Sequence, residues 1–143
     1  MPSEAEKAWR AIYRAYTRLA PTIDKQLKAS VGLTYSEYEA LVQLKAAAAP
    51  VKMADLASYV AVTRTHASRL IDSLELAGLA KRESNPDDGR SFLVAITSDG
   101  ARRLRESAAA VESVFDESVG SRVSARELQQ LMAWVDRAIA IET

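Results

Sequence analysis

The 143-residue sequence has no cysteine and only one histidine, His66. Without thiols there is no disulfide, no thiol-based redox sensing, no cysteine nucleophile and no zinc–thiolate site. A lone imidazole would leave a metal site to carboxylates, so neither a metal nor any other cofactor is expected. Net charge is also missing, because 19 basic residues balance 19 acidic ones. Any attraction to nucleic acid must therefore come from local clustering. No apolar run reaches the roughly 18 residues that a membrane helix needs. The opening MPSEAEKAW is acidic and polar, where a secretion signal is basic and then apolar. The expectation is a cytoplasmic chain. There is no Gly-rich phosphate loop and no nucleophile elbow. His66 sits beside arginines, and Asp87 and Asp88 fall in a turn, not a buried pair. No catalytic residue is expected.

What the sequence does contain is mostly helix. From about Glu4 to Ala29, Trp9, Ile12, Tyr13, Tyr16, Leu19, Ala20, Ile23 and Leu27 recur at spacings of three and four. That is one apolar helical face, with Pro21 expected to kink or pinch it. Thr34 and Glu37 form a capping box. It opens a second helix with Tyr38, Leu41 and Val42 inward, closed by Pro50. A short third helix spans Lys52 to Tyr59, with Met53, Leu56, Ala57 and Val60 on its inner face. After a tight turn at Ala61 and Val62, Thr63 caps a fourth helix. Its Ala67, Leu70, Ile71 and Leu74 share one face, and Gly78 supplies the left-handed end.

The period then changes. Leu79 to Glu83 and Phe92 to Ile96 read as two short strands around a turn-rich loop, Ser84 to Ser91, forming a two-stranded hairpin. Thr97 or Ser98 caps a fifth helix reaching about Val119, striped by Leu104, Ala108, Val111, Phe115 and Val119. A second capping box, Ser124 with Glu127, opens a last helix whose Leu128, Leu131, Met132, Val135 and Ile139 are expected to face inward.

The outer face of the fourth helix carries Arg64, Thr65, His66, Ser68, Arg69 and Asp72. Donors and hydroxyls in the first turns suit a helix entering a major groove N-terminus first. Arginine bridges guanine's two acceptors, and the helix N-terminus favours phosphate. From Ala57 to Arg82 the basic residues Arg64, Arg69, Lys81 and Arg82 outnumber the acidic Asp72 and Glu75. Taken alone, such a face is more often an ordinary solvated one. The short helix before it and the hairpin after it shift the balance. An arginine at the hairpin tip, Arg90, has the reach for a narrow minor groove. Asp88 is placed to hold that guanidinium in a bidentate fork. Met53 to Thr97 thus reads as a winged helix-turn-helix that binds double-stranded DNA.

An ordered set of residues then resembles the MarR family of multiple-antibiotic-resistance-type regulators. It comprises Asp55–Ala57, Thr63–Glu75, Gly78 with Leu79, Arg82, Asp88–Arg90 and Ile96–Gly100. The resemblance implies a mainly α fold with a small β-hairpin wing, its winged helix-turn-helix flanked by N- and C-terminal dimerisation helices. The corresponding divisions are 1–32, 33–97 and 98–143. It implies a homodimer reading a pseudo-palindromic operator, with half-sites roughly 34 Å apart. It implies DNA contacts from Thr63, Arg64, Thr65, His66, Ser68, Arg69, Arg82 and Arg90, with Asp88 supporting Arg90. Gly89 stands where the motif often has arginine. The family resemblance further implies a repressor released by a small aromatic or phenolic ligand. Trp9, Tyr13, Tyr16, Tyr35 and Tyr38 are candidates to line its crevice, although apolar stripes at helical spacing are more often packing. The alternative is a winged helix used for protein contact, with no effector.

Overall fold

The computed structural model describes residues 1–60 and 62–140. The expected turn residue Ala61 lies outside the described residues. Helix α1 spans Glu4–Val31, with the Ser3 hydroxyl accepting from the Glu6 amide at 3.1 Å. Pro21 lies inside α1 and does not end it. A proline removes one backbone donor, but Leu19, Ile23 and Leu27 keep the apolar stripe running past it. The helix stops at Gly32, whose φ of 72° is left-handed. Helix α2, Tyr35–Ala47, opens with both bonds of the Thr34–Glu37 capping box in place.

Strand β1, Val51–Lys52, precedes helix α3, Met53–Tyr59. Helix α4, Arg64–Leu76, starts at Thr63, whose hydroxyl accepts from the His66 amide at 3.1 Å. Gly78, at φ 76°, turns the chain into β2, Ala80–Ser84, which pairs antiparallel with β3, Phe92–Ile96. Helix α5, Ser98–Ser118, a 3₁₀ turn at Gly120–Arg122 and helix α6, Ala125–Ile139, complete the order.

Two expectations need correction. The wing is a three-stranded sheet in the order β1-β3-β2, not a two-stranded hairpin, because Val51 pairs with Val94 and Lys52 with Leu93. Lys52, read as helical, is the last residue of β1 and the N-cap of α3. Two residues of strand are too few to show a period. The second correction is α6. No residue of α6 is buried, and Leu131, Met132, Val135 and Ile139 face solvent in the single chain, with Leu128 partly covered. Among the described residues nothing covers that stripe.

The largest fully buried side chains are Leu27, Leu41, Leu56, Ile71, Leu74 and Val94, drawn from α1 to α4 and β3. Val111 and Val114 add α5 to the same core. The entry to α5 is fixed by Thr97. Its hydroxyl donates to the Gly78 carbonyl at 2.7 Å and accepts from the Gly100 amide at 3.0 Å. Gly100 lies so close to the preceding turn that a Cβ there would come within 2.1 Å of the Leu79 carbonyl oxygen. That oxygen belongs to backbone and cannot swing away. Gly100→Ala is therefore expected to cost about 1–3 kcal/mol of stability, the typical cost of overpacking. Urea denaturation checks it, and a midpoint equal to wild type would refute the close-approach explanation.

Candidate nucleic-acid interface

The proposed reading elements converge on one side of the molecule. The inner face of α4, with Ala67, Leu70, Ile71 and Leu74 buried, anchors the helix to the core. Its opposite face is then turned away from the core. Arg64, Thr65, His66 and Arg69 are all exposed, together with the cap residue Thr63. Thr63 uses a hydroxyl lone pair on the cap and keeps its O–H to donate. No ion pair occupies Arg64 or Arg69 among the described residues.

Two of the sequence-predicted contacts are placed otherwise. The Arg82 side chain is only 20 % exposed and forms an ion pair with Asp72 at 2.8 Å. It also pairs with Glu75, while its other terminal nitrogen donates to the Ser68 carbonyl at 3.1 Å and to the Ser68 hydroxyl at 3.2 Å. Glu75 accepts the Arg82 backbone amide as well, at 3.2 Å. Arg82 and Ser68 thus bind each other and lock α4 to β2, instead of standing with the exposed donors. A β2 guanidinium facing a helix that presents a serine and two carboxylates on one face finds its acceptors there. Asp72 and Glu75, read from the sequence only as charges opposing the basic set, are the anchors of this clamp.

The wing tip also differs in detail. Asp88 accepts the Arg90 backbone amide at 3.0 Å, and no ion pair joins its carboxylate to the Arg90 guanidinium among the described residues. Asp88 shapes the turn and leaves the guanidinium exposed. The buried Asn85 closes the loop base, accepting the Asp87 amide at 3.0 Å and donating to the Ser91 hydroxyl at 3.1 Å. Gly89 is not in the left-handed region, and a Cβ added to it meets open space. Between α3, the start of α4 and the wing runs a groove of about 710 Å³, lined among others by Lys52, Arg64, Asp88 and Phe92. Lys52 and the exposed Phe92 had no sequence signal as part of this surface. They join it only because β1 and β3 pair.

The aromatic candidates divide. Trp9, Tyr13 and Tyr16 are 62–65 % exposed along α1. Tyr35 and Tyr38 of α2 instead pack on Phe115 of α5, with ring centroids 6.5 and 6.4 Å apart. A groove of about 500 Å³ between α2 and α5 is lined by Tyr38, Val42, Leu104, Ala108 and Val111, together with the charged Lys45 and Glu112. Of the five aromatic candidates, only Tyr38 lines it. Burial raises the pKa of Tyr35 and Tyr38, and the Glu39 carboxylate beside them raises both further. Burial also raises the pKa of Glu39 itself.

An outward-facing helix beside a β-wing, held by a shared core, defines a winged helix protein. Residues 31–91 match the model of the MarR family. Sco3205 of Streptomyces coelicolor, a MarR family transcriptional regulator solved in complex with DNA, is 28% identical, with a TM-score of 0.78 over 98% of this chain and 92% of its own. AbsC from the same organism, also a MarR family transcriptional regulator, is 26% identical, with a TM-score of 0.76 over 97% and 92%. A MarR family regulator from Rhodococcus sp. RHA1 shares the fold at a TM-score of 0.82, over 100% of this chain and 99% of its own, with 22% identity. No curated protein matches the sequence. The chain is thus similar to the MarR family of transcriptional regulators, by the family model over residues 31–91 and by fold along nearly its whole length.

Glu39 supplies a pH test of the α2 surroundings. Its folded pKa is raised, so its contribution favours folding below the unfolded pKa and is lost as pH rises through the folded value. Near neutral pH the half-buried charge is a liability. Glu39→Gln is expected to raise the thermal midpoint near neutral pH. The gap should close as pH falls below about 4, where both forms are neutral. A gap that widens on acidification would contradict this placement of Glu39.

Proposed function

We propose that this protein is a sequence-specific double-stranded DNA-binding regulator that works as a homodimer, represses its target genes, and is released by a small aromatic or phenolic ligand. The observation that carries the DNA reading is the exposed set Arg64, Thr65, His66 and Arg69, without ion pairs among the described residues, on a helix anchored by its opposite face. It stands beside a wing tip bearing Arg90. In this reading α4 enters the major groove, Arg64 reads a base edge and Arg69 holds phosphate. Arg90 reaches the adjacent minor groove. Thr63, Thr65 and His66 contribute hydrogen bonds near the helix N-terminus. Ser68 and Arg82 act through the position of α4, and Asp88 through the backbone of the tip. The DNA complex of Sco3205 supports the assignment.

The homodimer rests on the two apolar surfaces the chain leaves open. These are the α1 stripe with Trp9 and Tyr13, and the α6 stripe with Leu131, Met132, Trp134, Val135 and Ile139. The divisions 1–32 and 98–143 accordingly serve association, and 33–97 serves DNA. The ligand reading rests on the groove lined by Tyr38, between α2 of the division 33–97 and α5 of the division 98–143.

These readings have direct tests. Arg69→Ala should weaken binding to all duplexes and lower the salt slope by about 1, and Arg64→Ala should relax one operator position by about 1–3 kcal/mol. Gly89→Arg has room at the tip and should tighten binding while raising the salt slope by about 1. Fluorescence anisotropy over a salt series reads all three. Salt-independent binding, or none to any genomic duplex, would remove the DNA reading. For the dimer, the double substitution Leu131→Glu and Val135→Glu should yield folded monomers in analytical ultracentrifugation. A variant that still sediments as a dimer would place the interface elsewhere.

A further inference from the structure

A second tie holds α4, on the side away from the wing. The Ser73 hydroxyl donates to Glu37 Oε2 at 3.0 Å. The other oxygen of the same carboxylate accepts the Thr34 amide at 2.9 Å as half of the capping box. One residue along, the Tyr35 amide donates to Asp24 of α1 at 2.8 Å. A continuous path of polar contacts therefore runs from α1, through the first turn of α2, to the last turn of α4. Ser73 is exposed, and Glu37 is only partly covered, so neither residue is placed there by the core.

The apolar face of α4 resists its removal from the core but is non-directional, so it constrains the roll of the helix about its own axis weakly. Directional bonds do constrain roll. Ser68, Asp72 and Glu75 lie on one face of α4 and are clamped by Arg82. Ser73 lies about 100° further round the axis from Asp72. Two directional restraints at that angle fix the roll, and hence the directions in which Arg64, Thr65 and Arg69 project.

We propose that Glu37 is a positioning residue for the reading helix, its carboxylate tying the roll of α4 to the α1–α2 junction. The proposal rests on the reading of α4 as the DNA-contacting helix. The capping box thereby gains a second role. The carboxylate that starts α2 also holds α4, so a shift of the junction moves the reading face.

The test uses the full chain as Ser73→Ala, Ser73→Thr, Glu37→Ala and the Ser73→Ala/Glu37→Ala double variant. One readout is affinity for a fluorescent duplex selected from a random-sequence library. The other is hydrogen exchange of α4 amides. Ser73→Ala keeps the capping box and is expected to weaken binding roughly fivefold, a typical coupling size, with an unchanged salt slope. Ser73→Thr keeps the hydroxyl and should restore affinity. In the Glu37→Ala background the serine change should have no further effect, because its partner is already gone. The α4 amides should exchange several-fold faster in Ser73→Ala, while α5 is unaffected. Unchanged affinity in Ser73→Ala overturns the proposal. The same loss in both backgrounds does too, since it would mean that Ser73 acts without Glu37. Unchanged α4 exchange overturns the proposal whether or not the chain binds DNA. Faster α4 exchange in a chain that binds no duplex would support the tie and overturn the DNA reading instead.

Discussion

The structure depends on the joint burial of six aliphatic side chains from five elements: Leu27, Leu41, Leu56, Ile71, Leu74 and Val94. Burying one face of a helix decides where its opposite face points. This is clearest for α4. Ile71 and Leu74 are fully buried, and the arginines at 64 and 69 therefore face outward. Full burial of one such side chain contributes about 1.5–3 kcal/mol. Losing one would loosen the platform that aims the exposed residues as well as lower stability.

Burial sets a face but not an exact rotation, and polar bonds supply the remainder. Arg82 holds α4 to β2, Glu37 holds it to α2, and Thr97 joins the Gly78 turn to the start of α5. These three side chains use their hydrogen-bonding groups within the protein, at junctions between elements. The residues on the outer face of α4 keep theirs for solvent or for a partner. A side chain bonded within the fold and one left open have separate roles, although all lie within residues 34–97.

Much of this is legible in the sequence. Thr34 with Glu37, Thr63 and Ser124 with Glu127 announce their helices correctly, because a cap is a local interaction between residues three apart. The buried face of α4 is equally plain from its spacing. What escapes is non-local. Strand β1 is two residues long and exists only because Val51 meets Val94, far along the chain. Arg82 reads as a DNA-contacting cation because its acids at 72 and 75 are distant enough in sequence to look like mere opposing charge. The Asp88 carboxylate, expected on the Arg90 side chain, takes the Arg90 backbone amide, a distinction that residue types alone do not carry. The α6 stripe is correct as a stripe and wrong in its direction. Periodicity shows that a face is apolar, but not whether its cover belongs to the same chain.

Neutrality is compatible with the proposed function because of how the charges are paired. Lys7 and Arg10 are matched to Glu4 and Glu6 within α1, Arg102 to Asp99 and Glu106 within α5, and Arg82 to Asp72 and Glu75 beneath the wing. Exposed pairs of this kind contribute little stability, but they do cancel local field. Arg64, Arg69 and Arg90 make no ion pair among the described residues. Asp72, the acid nearest to Arg69 in sequence, is engaged by Arg82. The clamp therefore does two things: it orients α4, and it neutralises the carboxylate that would otherwise offset the cation three residues before it. A chain with no net charge can then present a locally positive face on α4, while Asp87 and Asp88, without ion pairs among the described residues, offset Arg90 at the wing tip. Fields at contact distance follow local pairing more than the total, and a Debye length of roughly 8 Å screens the remainder.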